Sequence, residues 1–184
     1  MNAFLDALSA TGPAADRAAK MDLYDRFIGS WELDVIEYRD DGSTRRRPGE
    51  WHFGWVLEGR AIQDVWILPS RGQRASDAAA NSNRYGTTLR IYHPNAGAWR
   101  IQWTEPAGQT YLSMIGTAAG DDIVQLGRNA AGERTRWGFC QIEPDAFLWI
   151  GERSSDEGAS WKRVVEFRAR RIQGASEHVQ RGSS

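Results

Sequence analysis

Four charged residues stand among apolar neighbours in the predicted strands, and this placement could support acid–base chemistry. They are Asp64, Arg90, Glu152 and Arg163. Desolvation in an apolar pocket raises the pKa of a carboxyl group, whereas a neighbouring guanidinium group lowers that pKa again. Asp64 or Glu152 could therefore act as a general acid or base in the isomerisation, dehydration or cyclisation of an apolar substrate.

Two tyrosines could complete such a site, because a phenol can donate a hydrogen bond to a developing oxyanion. Tyr92 and Tyr111 are predicted to face inward with the charged residues. The four charges also have a structural interpretation, as two buried ion pairs that fix strand register. Alternatively, they form a polar cluster at one depth of an apolar cavity, which is how small-molecule sites are lined. The sequence leaves both interpretations open.

Nucleophilic and metal-dependent chemistry is not favoured. The single cysteine, Cys140, is predicted to face outward or to lie under the helix, and no inward histidine could activate its thiol. Ser113 is predicted to face inward but also lacks a histidine partner. The sequence contains no nucleophile elbow, phosphate-binding glycine loop or dinucleotide fingerprint. We therefore expect no metal and no cofactor.

The elements that must position these residues are β-strands, because apolar residues alternate with a period of two from Trp31 onward. The connections are short, and most contain turn residues such as glycine, proline and aspartate. Such connections are too short for parallel crossovers, so we predict an antiparallel meander. The ten predicted strands span 31–39, 49–57, 60–68, 85–93, 98–104, 110–118, 121–129, 134–142, 146–153 and 160–170.

We predict three regions along the chain: a helical segment over 1–29, a barrel over 30–171 and a flexible, solvated tail over 172–184. In the helical segment, apolar residues recur at spacings of three and four until Gly29. Residues 69–84 form a long polar loop, which is typical of either a disordered segment or a lid. We favour disorder for this loop.

Ten sequential antiparallel strands need their edges hidden, and closure into a barrel removes the edges. A ten-stranded barrel is wider than an eight-stranded one and should enclose a cavity. The alternative is a two-sheet sandwich with a packed core. We predict an all-β, closed, antiparallel up-and-down barrel of about ten strands, with an N-terminal helix capping one end.

Hairpin register predicts which side chains face the interior. Across the Glu58-Gly59 hairpin, for example, Trp51 opposes Trp66. The same counting, applied from strand to strand, gives the residues that we expect to line the cavity and to bind a ligand. They are Trp51, Phe53, Trp55, Trp66, Arg90, Tyr92, Trp103, Tyr111, Trp137 and Arg163.

The later hairpins depend on a longer chain of pairings. The predicted opposed pairs are Leu126 with Trp137, Phe139 with Ile150, and Glu152 with Arg163. Tyr111, Ser113, Ile115, Val124 and Leu126 are predicted to share one inward face. Glu152 and Arg163 are therefore expected to form an ion pair inside the barrel. A single β-bulge would exchange the faces of all later residues.

The tripeptide Gly29-Ser30-Trp31 places a Gly-x-Trp motif where the helical segment meets the first strand. This motif, together with the layout of residues 20–171, resembles the calycin superfamily of lipocalins, fatty-acid-binding proteins and nitrobindin-like barrels. The layout looks most like bacterial barrels near nitrobindin. The resemblance implies that the tryptophan plugs the closed end of the barrel, under Arg168, Arg170 or Arg171 of the last strand. A helix stop followed by an ordinary core tryptophan would produce the same motif.

The resemblance also has implications for function. Some calycin-like barrels act as cyclases and related enzymes, so the resemblance permits an enzyme without requiring one. A nitrobindin-like barrel would imply haem, which needs an axial ligand that is usually a histidine. His52 is predicted on the outer face, His93 at a loop and His178 in the tail. We therefore do not expect haem to bind.

Composition limits the partners that we expect. The chain has 184 residues, with 23 Lys and Arg against 24 Asp and Glu, so its formal net charge is −1. Nucleic acid and anionic membranes are not expected partners at this charge. The basic run Arg45-Arg46-Arg47 is predicted to be a solvated loop. No apolar run approaches the roughly 20 residues of a membrane span, and a signal peptide is not expected, so we predict a cytoplasmic protein.

The sequence thus favours one function and leaves two others open. We predict that a small, largely apolar or aromatic molecule binds in an aromatic-lined barrel cavity. The first alternative is a cofactor-independent acid–base enzyme of the isomerase, cyclase or dehydratase type that uses the same cavity. The second alternative is a structural or interaction protein with a filled core. An oligomer is compatible with all three.

Overall fold

Short turns and alternating apolar residues close the chain into a barrel, which a computed structural model describes for residues 2–74 and 83–173. Ten antiparallel strands pair in chain order, and the last pairs with the first, so the predicted closed barrel is confirmed. A short outer strand, β1 (Ser9–Ala10), pairs with β3. The barrel strands are β2 (Gly29–Tyr38), β3 (Thr44–Val56), β4 (Ala61–Leu68), β5 (Arg84–His93), β6 (Ala98–Glu105), β7 (Thr110–Ala119), β8 (Asp122–Arg128), β9 (Arg134–Cys140), β10 (Ala146–Ser154) and β11 (Lys162–Arg171).

The N-terminal segment is less helical than predicted. It contains helix α1 (Ala3–Leu8), a single 3-10 turn (Ala18–Lys20) and helix α2 (Asp22–Asp25). The helix does not continue after Leu8, because the next two residues join the sheet as β1. Within the residues that the structure describes, no helix is long and apolar enough to cross a membrane.

The α2 segment closes one end of the barrel. Met21, Tyr24 and Phe27 are completely buried there. The ring centroid of Phe27 lies 4.5 Å from that of Phe139 and 4.9 Å from that of Phe147. The packed core therefore occupies this closed end of the barrel.

The Gly-x-Trp motif lies at this closed end, as the resemblance implies. Trp31 is fully buried, and its indole N–H donates to the Phe27 carbonyl at 2.7 Å. The guanidinium carbon of Arg171 lies 4.1 Å from the centroid of the Trp31 ring. Arg171 also donates to the carbonyl of Ile28 at 2.8 Å. Gly29 has a φ of +121°, which only glycine adopts readily, so the motif also fixes the chain path into β2.

The first two predicted hairpins have the predicted register. In the β3–β4 hairpin, the confirmed pairs are Trp51 with Trp66, Phe53 with Asp64, and Trp55 with Ile62. In the β5–β6 hairpin, they are Thr88 with Trp103, Arg90 with Ile101, and Tyr92 with Trp99. Both hairpins have tight turns, so counting from the turn gives the correct faces.

Two later registers differ from the prediction by one residue. Trp137 opposes Gln125 instead of Leu126, and Phe139 opposes Trp149 instead of Ile150. In the second case, Gln141 has a left-handed φ of +50° and adds a residue between the turn and the ladder. A shift of one residue moves every following side chain to the other face.

The inward face of β7 and β8 is also the opposite of the predicted one, because the prediction linked Leu126 to the inward Trp137, which in fact opposes Gln125. Tyr111, Ile115 and Leu126 lie on the outer surface, and 63% of the Tyr111 side chain is exposed. Leu112 and Met114 face the interior instead and are buried. Their inward orientation follows the rule that the more apolar face of a strand packs inside.

The arginine run is a second correction. Arg45, Arg46 and Arg47 belong to strand β3 and not to a solvated loop. Of the loop predicted over 69–84, residues 75–82 lie outside the described residues, as does the predicted tail from 174 onward. The predictions of a lid, of disorder and of a flexible tail are therefore not addressed there.

Candidate functional site

A cavity of about 440 Å³ lies in the open half of the barrel. Its walls come from the ends of strands that surround the opening, and most of its lining side chains are apolar. The lining residues are Glu37, Tyr38, Arg39, Arg45, Trp51, Trp66, Leu68, Thr88, Trp103, Trp137, Trp149, Val164, Val165 and Phe167.

Five aromatic side chains form a closed ring around this cavity, which we call the aromatic collar: Trp66, Trp103, Trp137, Trp149 and Phe167. Each ring contacts the next, with centroid separations of 5.7, 5.9, 5.3 and 4.4 Å along this order. Phe167 closes the circle by stacking on Trp66 at 5.5 Å. These distances are favourable for edge-to-face and offset-stacked pairs, so each ring holds its neighbours in place.

Trp51 forms the floor beneath the collar. Its centroid lies 6.0 Å from that of Trp149 and 5.6 Å from that of Phe167. On its lower side it stacks on Phe139, at 5.6 Å, and so joins the packed core. The cavity therefore ends at Trp51.

The structure brings only some of the predicted ligand-binding residues to the cavity. Those that line it are Trp51, Trp66, Trp103 and Trp137. Phe53 and Trp55 lie in the packed core. Tyr92 is partly buried and packs against Trp99, with centroids 5.7 Å apart.

Trp149 is a cavity residue that the sequence analysis missed. The register error in the β9–β10 hairpin assigned the inward face of β10 to Leu148 and Ile150. Phe147 and Trp149 are the aromatic residues of the same strand, and both are buried. Placing the aromatic face inward, as for β3, would have identified Trp149.

Asp64 and Arg90 form a buried ion pair below the cavity. Both residues are fully buried, and Arg90 donates from Nη1 to Oδ2 of Asp64. The backbone N–H of Thr88 donates to Oδ1 of Asp64 at 3.2 Å. Asp64 therefore faces inward as predicted, but both of its oxygens accept hydrogen bonds from the protein, and the cavity surface above it is formed by Thr88.

Tyr24 extends this polar group toward α2. The guanidinium carbon of Arg90 lies 5.2 Å from the centroid of the Tyr24 ring. The Tyr24 hydroxyl accepts a hydrogen bond from Nε2 of Gln125 at 3.0 Å. Burial raises the pKa of Tyr24 to about 12, so the phenol stays protonated at neutral pH. The sequence analysis assigned no role in a site to Tyr24 or Gln125.

Glu152 and Arg163 correct the prediction of an inward ion pair. They oppose one another in register, but a bulge at Gly151 and Glu152 interrupts the β10–β11 ladder. Glu152 accepts a hydrogen bond from Nε of Arg136 at 2.7 Å, and Arg163 donates to Glu166 at 2.8 Å. Neither lines the cavity, because Glu152 shares the outer face of β10 with Leu148 and Ile150 and Arg163 is exposed.

The rim of the cavity carries charged residues of β2 and β3. Glu37 accepts hydrogen bonds at both carboxylate oxygens from Nη2 of Arg47, at 3.0 and 2.9 Å. Arg47 is largely buried, and this burial lowers the pKa of its guanidinium group. Arg39 and Arg45 line the rim and are exposed.

Three indole N–H groups of the cavity walls are buried without a hydrogen-bond acceptor among the described residues. They belong to Trp51, Trp66 and Trp149. Buried donors normally have partners, so unmatched donors at a cavity are a feature that needs a physical explanation.

Neither of the two histidines that the structure describes points into the barrel. His52 lies on the outer face of β3, where Nδ1 is 2.8 Å from the Ser30 hydroxyl and Nε2 is 3.1 Å from Glu50. His93 accepts a hydrogen bond from the backbone N–H of Ala96 at the end of β5. His178 lies outside the described residues. In the described part of the chain, no group of three His, Cys, Asp or Glu side chains could hold a metal ion.

Solved structures with a similar fold exist at low sequence identity. One is the crystal structure of Rv2717c from M. tuberculosis, with a TM-score of 0.61, 11% identity, and coverage of 85% of this chain and 99% of that chain. Another is the S-type phycobiliprotein lyase CPES from Guillardia theta, with a TM-score of 0.59, 10% identity, and coverage of 88% and 99%. No family model and no curated protein sequence matches the chain. Both structures are small ten-stranded barrels of the calycin-like type, and the chain has the fold that they share.

Proposed function

We propose that the protein binds a small, largely apolar or aromatic molecule inside the barrel. The observation that carries this proposal is the closed aromatic collar around the cavity of about 440 Å³. Small-molecule sites are concave, mostly apolar and usually about 300–1,000 Å³ in volume. The fold shared with calycin-like barrels supports a cavity inside the barrel. The class of ligand has to be inferred from the residues of this chain.

The collar is suited to a flat, apolar ligand. Burial of apolar surface contributes about 25 cal/mol per Å² removed from water, and contact with an aromatic ring adds about 0.5–1.5 kcal/mol. Because Trp66, Trp103 and Trp137 are held by one another, little side-chain freedom is lost when a ligand enters. A preformed site of this kind favours binding over a packed structural role.

The alternative of an acid–base enzyme is supported less well. Glu37 is the one carboxylate among the described residues that line the cavity, and Arg47 binds both of its oxygens. Asp64 is paired with Arg90 beneath the floor, and Glu152 lies outside. No observation in the described residues favours a proton transfer at the collar.

Fluorescence of N-phenyl-1-naphthylamine, a neutral dye that brightens in apolar surroundings, tests the proposal. We expect saturable brightening with the unaltered protein. Trp103→Leu together with Trp137→Leu removes two rings of the collar, and we expect affinity to fall by about 10–100-fold. Trp161→Leu is the control, because Trp161 packs against Arg136 away from the cavity. Binding that is absent, or that is equal in all three proteins, would contradict the proposal.

A further inference from the structure

We propose that the bound molecule carries an anionic group, which the guanidinium groups of Arg39 and Arg45 bind at the rim while its apolar body lies in the aromatic collar. This inference rests on the proposed function and adds the chemical class of the ligand. Both arginines line the cavity, on the same side of its opening. They are positioned by the end of β2 and by the start of β3.

The carboxylate nearest to Arg45 in the sheet is already occupied. Arg45 opposes Glu37 across the β2–β3 ladder. Both oxygens of Glu37 accept hydrogen bonds from Arg47, which lies two residues further along β3. Among the residues that the structure describes, Arg45 makes no ion pair within 4 Å. Glu37 therefore pairs with Arg47, and the more exposed Arg45 is left without a matching carboxylate among the described residues.

Arg39 is left in the same state by a different set of contacts. Asp40 accepts hydrogen bonds from Arg153 at 2.6 Å and from Lys162 at 2.7 Å. Asp41 accepts a hydrogen bond from the backbone N–H of Ser43 at 2.8 Å. Within residues 2–74 and 83–173, Arg39 has no ion-pair partner. Asp40 is thus committed to two other cations, whereas Asp41 is hydrogen-bonded within its own turn and makes no ion pair with Arg39.

Arg84, Arg100 and Arg170 of the barrel strands also make no ion pair among the described residues, but only Arg39 and Arg45 of these unpaired arginines line the cavity. Arg46 pairs with Asp34 on the outer face of the same strand. Arg136 pairs with Glu152, and Arg128 pairs with Glu157 at the open end. A rim that keeps two guanidinium groups free while similar groups nearby are neutralised can attract an anion.

The chemistry of the two rim arginines points to an anion. Guanidinium groups are hydrogen-bond donors, and their planar fork fits the two oxygens of a carboxylate, a sulfonate or a phosphate. Glu37, the carboxylate that lines the same rim, already accepts hydrogen bonds from Arg47 at both oxygens. The exposed guanidinium groups of Arg39 and Arg45 therefore fit an acceptor-rich anion better than a cationic ligand.

Two dyes with the same ring skeleton separate this inference from simple apolar binding. 8-Anilinonaphthalene-1-sulfonate carries a sulfonate, and N-phenyl-1-naphthylamine is the same molecule without it. For Arg39→Gln combined with Arg45→Gln, we expect the affinity for the sulfonate to fall by about tenfold and the affinity for the neutral dye to change less than about twofold. Arg100→Gln is the control, because Arg100 is an exposed arginine on the outer wall of the barrel.

The dependence of sulfonate binding on ionic strength is a second test of the contact between the anion and the two rim arginines. Raising the salt concentration from about 0.05 M to about 0.5 M screens exposed charges and should weaken sulfonate binding to the unaltered protein. The double variant should lose this salt dependence, and Arg39→Lys with Arg45→Lys should keep most of it. Both arginines are exposed, so the variants should fold normally, and circular dichroism checks this.

The outcomes are distinct. If the glutamine variant binds both dyes as the unaltered protein does, or loses affinity for both equally, the anionic group is not recognised by Arg39 and Arg45, and this inference is overturned. If neither dye responds to the loss of Trp103 and Trp137, the cavity is not the binding site, and the proposed function fails first. Loss of sulfonate binding alone, with its salt dependence, supports the inference.

Discussion

Arg90 donates a hydrogen bond to Asp64 at a point where both side chains are completely enclosed by the barrel. Rings surround the guanidinium group: its carbon lies 5.2 Å from the Tyr24 centroid and 5.4 Å from the Phe53 centroid. The pair connects β4 to β5 directly below the cavity. Charges in such surroundings persist only when they are paired, so each partner keeps the other in place.

Removing one member of this pair should destabilise the barrel strongly. Arg90→Met leaves Asp64 buried without its counter-ion, and we expect the free energy of unfolding to fall by about 3–5 kcal/mol. Asp64→Leu combined with Arg90→Met removes both charges and should cost far less. Urea denaturation of the two variants measures the difference. Equal losses in the single and double variants would contradict a paired role.

Glu152 and Arg163 should contribute much less to stability than Asp64 and Arg90. Glu152 and Arg163 oppose each other in register but bind Arg136 and Glu166 respectively, on the outside of the barrel. We expect Glu152→Gln and Arg163→Gln each to change stability by about 0–1 kcal/mol, as partly exposed ion pairs do. A double-mutant cycle should give a coupling energy near zero. A clear coupling energy would restore the ion pair that the sequence predicts.

Gly86 makes room for the collar. It opposes Trp66 in the β4–β5 ladder, and a Cβ atom built on it would clash with the Trp103 ring. Gly86→Ala should therefore displace Trp103 and weaken binding of the neutral dye. Gly54→Ala is the matched control, because a Cβ at Gly54 meets nothing within 4 Å. Dye titration of both variants checks this, and an unchanged affinity in Gly86→Ala would argue against a tightly positioned collar.

Tyr24 makes stability depend on pH in the alkaline range. Burial raises its pKa from 10.0 to about 12, so the unfolded chain releases the phenolic proton at lower pH than the folded protein does. This pKa difference contributes about 2–3 kcal/mol to the free energy of unfolding. The contribution is fully present below about pH 10 and is lost as the pH rises through about 12. Tyr24→Phe should lose less stability between about pH 9 and pH 12 than the unaltered protein in urea denaturation. Parallel curves for the two proteins would contradict a raised pKa.

The sequence predicts the barrel well because short turns determine the register of the strands that they connect. The Glu58-Gly59 turn gives the register of β3 with β4, and the Pro94–Ala96 turn gives that of β5 with β6. Three tryptophans of the cavity, Trp51, Trp66 and Trp103, follow directly from these two hairpins and the strand alternation. The plug formed by Trp31 and Arg171 agrees with the Gly-x-Trp resemblance.

The register predicted from the sequence is wrong where an extra residue, which does not pair in the ladder, changes the residue count from the turn. Gln141 and the bulge near Glu152 each change the pairing by one residue, and neither leaves a clear signal in the sequence. These two irregularities explain why Trp149 was missed and Arg163 was placed inside. Tyr111 was placed inside for another reason, because Leu126 was paired with Trp137 instead of Gln125. The unpaired state of Arg39 could not be predicted either, because it depends on contacts with strands far along the chain, such as that of Asp40 with Arg153.

The indole signals of the tryptophans in a ¹H–¹⁵N NMR spectrum test the central claim most directly. Each tryptophan gives one indole N–H peak, and single Trp→Phe variants assign the peaks. On addition of 8-anilinonaphthalene-1-sulfonate, we expect the peaks of Trp66, Trp103, Trp137 and Trp149 to shift, while those of Trp31 and Trp161 stay in place. Shifts confined to Trp161, or no shifts at all, would contradict binding inside the barrel.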